Sequence, residues 1–334
     1  STPCEHSFPT RRSSDLIVAK SRADFVLRPK RTTGNQKPVV IFTDGFQYHK
    51  DKVADDTLKR MAILETGKYR VWTLSWRDVQ QIFKLQGEYS TNTLMPEHML
   101  AGAKMYRPTV KAANAEIIKP DKESAFELLM DYLANPNAED LFSAHATAYG
   151  LSLVDMSKMK DKAFYNEWEE IWNNIHKNMD IMDETDAFGE AIFGVWLPRN
   201  NQGNINILAE VSVNDVKHLK LKAPISVIAI LNDDKETRTD KYDADWNGYW
   251  HFVNVMQFNE YMKFVCKTGL DNAVYTILNL KQSTEVSIIN ESVMNSEWSE
   301  CMDEFIDDIA KTCASEMLQK NIPIPTIIGF ELED

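Results

Sequence analysis

Val39-Val40-Ile41-Phe42-Thr43-Asp44-Gly45-Phe46-Gln47-Tyr48-His49 decides the fold class. Its first four residues are three β-branched aliphatics and an aromatic, the pattern of a strand covered on both faces. The run stops at Asp44-Gly45, which by itself is ordinary turn chemistry. Upstream, Asp24-Phe25-Val26-Leu27 reads as a short strand, and Thr32-Thr33-Gly34-Asn35 as the turn between the two. Downstream, the apolar positions Val53, Leu58, Met61, Ala62 and Leu64 predict a helix from about Lys52 to Thr66, with Gly67 as its stop. Asp56 and Arg60 stand four apart with the acid first, the favourable order for a helical ion pair. Tyr69–Ser75 alternates as a strand, and Trp76-Arg77-Asp78-Val79 opens another helix. Strand, strand, helix, strand, helix over 17–85 is a small α/β sandwich.

Outward from this module the pattern changes. Residues 86–122 scatter Gly87, Pro96, Gly102, Pro108 and Pro120, and read as a linker or insertion. Residues 123–334 read as an acidic α+β region with long helices. Within it 123–180 is expected to be helical, with Trp168 and Trp172 on one face as core. Strands are expected at Ala191–Leu197, Asn206–Val213 and Ile225–Leu231, and helices at about 244–262 and 295–319. The sequence shows no internal repeat.

Composition bounds the function classes. The chain has 334 residues with 43% hydrophobic and 26% charged, an ordinary globular balance for two or three domains. No apolar run approaches the roughly 18 residues of a membrane span, so no membrane partner is expected. Cys4, Cys266, Cys301 and Cys313 form no CxxC, which supports neither a zinc ribbon nor a disulfide framework and makes a cytoplasmic setting the default. The net charge is −13, but it is uneven. Residues 17–79 carry 13 Lys and Arg against 7 Asp and Glu, whereas residues 80–334 carry 22 against 41. Phosphate contacts need a local basic surface and not a basic average, so Arg28, Lys30, Arg31, Lys50 and Arg60 are the expected DNA contacts. A solvated surface is the other reading of the same charges.

The two strand ends also suggest chemistry. Phosphodiester hydrolysis at neutral pH calls for a divalent metal. Mg²⁺ prefers one or two carboxylates with water and phosphate. Asp24 opens one strand and Asp44 closes the next, so both can face one cleft. His49 follows five residues later as an acid or base, and Arg60 can clamp a phosphate. The structural alternatives are a turn aspartate, a structural histidine and a surface Asp56–Arg60 pair.

Ala23-Asp24-Phe25-Val26 and Val40–His49 together resemble the very-short-patch-repair endonucleases, within the PD-(D/E)xK nuclease superfamily. The resemblance covers about residues 22–80. It implies that Asp24 is the metal-binding Asp, that Thr43 lends a backbone carbonyl to the metal, and that His49 is the second active-site His. Asp44 stands where the family has its first His, and is expected to serve as a ligand in its place. Ala23 replaces a Pro, and Phe42 and Asp44 occupy the positions of the usual Glu-x-Lys. The resemblance thus gives catalytic Asp24, Asp44 and His49, with Mg²⁺ held by Asp24, Thr43 and Asp44.

A second resemblance runs through Val39–His49, Tyr69–Val79, Asp245-Trp246-Asn247-Gly248-Tyr249-Trp250 and Pro325–Leu332. These look like the C-terminal region of large bacterial DEAD/DEAH-box helicases, including phage-defence types. The expectation is an accessory fragment that contacts DNA, with the motor domains as partners in the parent chain. No GxxxxGK[ST] or DEAH motif occurs, so ATP would enter only through those absent domains. The alternative is a catalytically inactive scaffold or partner-binding region. Residues 1–16 lack the features of a signal peptide, and His6–Leu16 resembles a translated sequencing adapter. They are expected to be a disordered leader, with natural sequence from about Ile17 and a chain truncated at its C-terminus.

Overall fold

The computed structural model describes residues 21–29, 34–83, 106–153, 175, 191–196, 203–212, 225–276, 287–288, 327–328 and 331–333. The leader at 1–16, Lys30, Arg31, the Trp168/Trp172 pair and the helix expected at 295–319 lie outside the described residues. The first half contains β1 (Ser21–Arg22), β2 (Phe25–Leu27), β3 (Val39–Asp44), α1 (Phe46–His49), α2 (Val53–Glu65), β4 (Arg70–Ser75) and α3 (Trp76–Phe83). Three helices follow: α4 (Tyr106–Ala112), α5 (Ala125–Ala134) and α6 (Ala138–Leu153). The second half adds β5 (Ala191–Trp196), β6 (Ile205–Ser212), β7 (Ile225–Leu231), α7 (Tyr242–Met256), β8 (Tyr261–Cys266) and α8 (Lys267–Asp271). Three short strands complete it: β9 (Ser287–Ile288), β10 (Ile327–Ile328) and β11 (Glu331–Glu333).

The fold is mixed α/β. One four-stranded sheet has the order β10-β2-β3-β4, a second has β5-β6-β7-β8, and a small one has β1-β11-β9. In the first sheet β3 runs antiparallel to β2 and parallel to β4, with Val39 opposite Arg70 and Asp44 opposite Ser75. All six residues of β3 are buried, as its apolar run requires. Val39 and Ile41 face the main core with Phe25, Trp72 and Leu74. Val40 and Phe42 face a smaller cluster with Val26, Ile63 and Val71. Gly67 stops α2 with a φ of 67°, a left-handed conformation that glycine adopts without penalty.

The second sheet repeats this plan. Strands β6 and β7 are antiparallel, α7 crosses over, and β8 returns parallel to β7 and leads into α8. This likeness is one of topology, and the sequence itself still shows no internal repeat. The two units share an order of elements and not a run of residues, so periodicity in the sequence could not reveal it. The helix expected over 244–262 also ends earlier, at Met256. Tyr261 and Met262 instead begin β8, where Met262, Phe264 and Cys266 are buried.

The two units close each other's open edges. Strand β4 is the edge of its sheet, and Val71 and Thr73 direct their backbone groups away from β3. Gln257 meets Val71, donating to its carbonyl at 2.6 Å and accepting from its N–H at 2.9 Å. Asn254 does the same for Thr73, at 2.8 and 2.9 Å. In return α2 packs along β8. There Phe264 N–H points at Met61 Sδ, and Cys266 N–H donates to Tyr275 Oη, which shares a hydrogen bond with Thr57 of α2.

Residues 106–122, expected in a linker or insertion, contribute to the main core through Tyr106, Val110, Ala115 and Ile118. That core runs from Phe25 to Tyr275 without interruption, joining the expected module to the region beyond it. Ser124 and Glu127 form a reciprocal cap on α5. Trp72 then docks on α5, donating from Nε1 to Ala125 O at 2.8 Å. None of the described helices is long and apolar enough to cross a membrane.

Two outcomes follow. Gln257→Leu strands a buried N–H and C=O of Val71, so urea unfolding should show a loss of about 1–3 kcal/mol per orphaned group. His145 is buried, and burial pushes its pKa down to about 4. The unfolded chain therefore binds a proton that the native state refuses. This contribution is whole above pH 6.5 and drains as pH falls toward 4, by up to about 1.4 kcal/mol per pH unit. Unfolding measured across pH 7 to 4 should show a shallower decline in His145→Gln than in the parent chain.

Candidate functional site

The C-terminal ends of the parallel strands β3 and β4 carry Asp44 and Ser75. After Asp44 the chain makes one helical turn, α1, whose last residue is His49. It then enters α2, whose first turn holds Asp55 and Asp56. This path folds back on itself, so strand end, turn end and helix start meet. His49 Nδ1 lies 2.9 Å from Asp56 Oδ2 and 3.6 Å from Asp44 Oδ1. Ligand atoms of all three residues lie within 4.8 Å of one another.

Below them sits Arg60, only 2% exposed. It donates from Nη2 to Asp44 Oδ2 at 2.6 Å and from Nη1 to Thr73 Oγ1 at 2.9 Å. Its guanidinium lies between the rings of Phe42 and Trp250, with centroids at 4.6 and 4.2 Å. The expected Asp56–Arg60 pair is thereby corrected. Arg60 reaches across to the sheet because Asp44 is buried there and needs its charge matched. Burial also removes Arg60 from the expected DNA contacts, since no phosphate can reach it.

The charges of the group are interdependent. Burial pushes the Asp44 carboxyl above the usual range, against the pull of Arg60 and His49. Burial works against a charged His49 ring, but the Asp56 hydrogen bond and the Asp44 charge outweigh it, and its pKa is raised. Burial would also raise Asp56, yet its hydrogen bond to His49 and the Arg60 charge hold it below the usual range. Asp56 is thus a carboxylate that orients the ring through Nδ1. Nε2 makes no hydrogen bond among the described residues, on a side chain 30% exposed.

Asp24 plays a different part from the one expected. Its Oδ2 accepts from Thr43 N–H at 2.6 Å and from Thr43 Oγ1 at 2.8 Å. It pins the end of β3, and Asp56 takes the expected place of Asp24 in the cluster. Sequence pattern hides that place, because Asp56 four residues before Arg60 already satisfies a helical ion pair. The spacing of His49 and Asp56, a turn followed by a helix start, was the available signal. Among the expected DNA contacts, Arg28 is partly buried. Lys50 Nζ donates to Gln47 Oε1 at 3.1 Å and lies 5.7 Å from the Phe46 ring centroid.

The second unit buttresses the turn. Phe46 packs edge-on against Trp246 at 5.6 Å, and Tyr242 Oη donates to Lys50 O at 2.8 Å. Arg238 pairs with Asp51 at 3.0 Å. Charges of both signs in the first module are matched from outside it: Arg70 by Glu139 and Arg77 by Asp243, and Glu65 by Lys263.

Comparison with known proteins gives a limited likeness. Over 135 residues the chain is 24% identical to large ribosomal subunit protein uL4c of Thalassiosira pseudonana, covering 40% of this chain and 55% of the relative. The chain thus spans about half the length of that curated relative. No protein-family model matches the chain, and no solved structure matches it. These findings correct the helicase and nuclease-family resemblances: the likeness found is to a ribosomal protein, and no family or solved structure supports either one.

The buried pair offers a test. Arg60→Met leaves Asp44 without its main counter-charge and should destabilise the fold by about 3–5 kcal/mol. Adding Asp44→Leu removes the orphaned carboxylate and should restore more than half of that loss in denaturant titrations.

Proposed function

We propose that Asp44, His49 and Asp56 hold a divalent cation at which this chain hydrolyses nucleic-acid phosphodiesters, DNA being the first substrate to try. The observation that carries the reading is the convergence of two carboxylates and one imidazole on a single small volume. Ligands bound at about 2.1 Å stand about 3.0–3.4 Å from one another around a tetrahedral or octahedral metal. The separations of 2.9 and 3.6 Å around His49 Nδ1 are close to that spacing. One nitrogen among the oxygens suits Mn²⁺ or Zn²⁺ as well as the expected Mg²⁺.

Each residue has a part. Asp44 Oδ2 is committed to Arg60, which leaves Oδ1 for the metal and fixes the carboxylate plane. In this reading His49 serves as a ligand through Nδ1, the metal displacing the proton that Nδ1 now donates to Asp56, and its part differs from the proton carrier expected from sequence. The metal supplies Lewis acidity and an activated water. Tyr48, 76% exposed beside His49, presents a ring suited to stacking on a base.

A second reading is a partner-binding module without catalysis. It is favoured by the closure of the cluster on itself, with Asp44 matched by Arg60 and Asp56 by His49. One experiment separates the two. The full chain is titrated calorimetrically with Mn²⁺ and then incubated with labelled single- and double-stranded DNA. Saturable binding of one ion and cleavage blocked by EDTA are expected. Asp56→Asn should weaken the metal roughly 10–100-fold and slow cleavage about 10²–10⁴-fold. A folded chain that neither binds Mn²⁺, Zn²⁺ or Mg²⁺ nor cuts DNA would leave the second reading standing.

A further inference from the structure

A cavity of about 620 Å³ opens where α4 meets the turn that follows it, in a part of the molecule distinct from the Asp44 cluster. Its size lies within the range of small-molecule sites, about 300–1,000 Å³. Tyr106 and His145 line it together with apolar Val110 and Ile118. The polar groups of that ring pair are already spent on each other. His145 Nε2 faces the carbonyl of Ala115 at 2.9 Å, and a carbonyl only accepts, so Nε2 carries the proton. Nδ1 then accepts from Tyr106 Oη at 2.9 Å. What remains for a guest is the narrow floor of the cavity, where Tyr106 is 9% exposed, Val110 5%, His145 2% and Ile118 1%.

The rest of the lining is charged. Arg107 and Lys111 stand one turn apart on the same side of α4, and Lys119 comes from the turn beyond. Like charges at this spacing repel and weaken a helix unless something lies between them. None of these three cations makes an ion pair among the described residues. Elsewhere Lys59, Arg60, Arg70, Arg77, Lys235, Arg238, Lys263 and Lys267 do, while Lys50, Lys52 and Lys241 also go without among the described residues; what sets the three apart is that they stand together around one cavity. Glu116 and Asp121 also line the cavity, and ask for hydrogen-bond donors.

We propose that this cavity binds a small organic phosphomonoester of the nucleoside monophosphate class. A doubly charged phosphate answers the three unmatched cations better than a single carboxylate does. A flat base would lie edge-in over the narrow floor of Tyr106 and Val110. Sugar hydroxyls supply the donors that Glu116 and Asp121 face.

The test uses the full chain and calorimetric titration with adenosine 5′-monophosphate, inorganic phosphate and adenosine. Saturable binding of the monophosphate is expected, at least tenfold tighter than that of either half alone. Arg107 and Lys111 are exposed, so their removal spares the core. Arg107→Ala combined with Lys111→Ala should weaken the monophosphate at least tenfold while leaving circular dichroism and Mn²⁺ binding unchanged. Three results would overturn the proposal: no heat at millimolar monophosphate with folded protein, inorganic phosphate binding equally well, or an unaltered affinity in the double variant.

Discussion

Four hydrogen bonds from two side-chain amides hold the architecture together. Asn254 and Gln257 present to Thr73 and Val71 what a neighbouring strand would have presented, an acceptor and a donor at alternate residues. An open strand edge in a buried setting is untenable, because each unpaired group keeps its full desolvation cost. The solution forces α7 to lie along β4, and that fixes where Trp246 and Trp250 fall. Trp246 then supports Phe46, and Trp250 stacks on Arg60. The geometry around Asp44 is thus set by residues more than two hundred positions away.

Charge follows the same logic. Seen along the sequence, a basic first module and an acidic remainder suggest a surface waiting for a polyanion. In the folded chain part of that basic charge meets acidic partners supplied by the remainder, Arg70 with Glu139 and Arg77 with Asp243. Glu139 is anchored further by Tyr132, which donates to it at 2.7 Å. Asp51 and Glu65 of the first module meet Arg238 and Lys263 in turn, so pairs of both polarities dock the units and the net basic excess of the module persists.

What could be read from the sequence was local. The buried run at 39–44, the helix at 53–65 with its Gly67 stop, and the strands at 191–196, 205–212 and 225–231 follow from periodicity and turn chemistry. Strand β8 was hidden because Tyr261-Met262 continue an apolar pattern that α7 had begun. The topological repeat was hidden because strand order leaves no trace in residue identity. In the site, Asp44 and His49 were legible, since both follow directly from a strand end. The partners were not. Arg60 and Asp56 satisfy each other on a helical wheel, and only the third dimension shows that each turns to someone else. Asp24 has the strand-start position of a ligand, while its carboxylate accepts from the backbone and the hydroxyl of Thr43.

The reciprocal closing of edges has a consequence in time. During synthesis the chain emerges from its N-terminus, and β4 is complete long before α7 exists. Between Ser75 and Gln257 lie all the residues that must be added before the amides can reach their strand. At about 5–20 residues per second that interval is roughly 10–40 s. Through it Val71 and Thr73 offer an unpaired ribbon to any passing strand. The nascent first half thus carries an open strand edge that closes only after Gln257 has itself emerged from the ribosome.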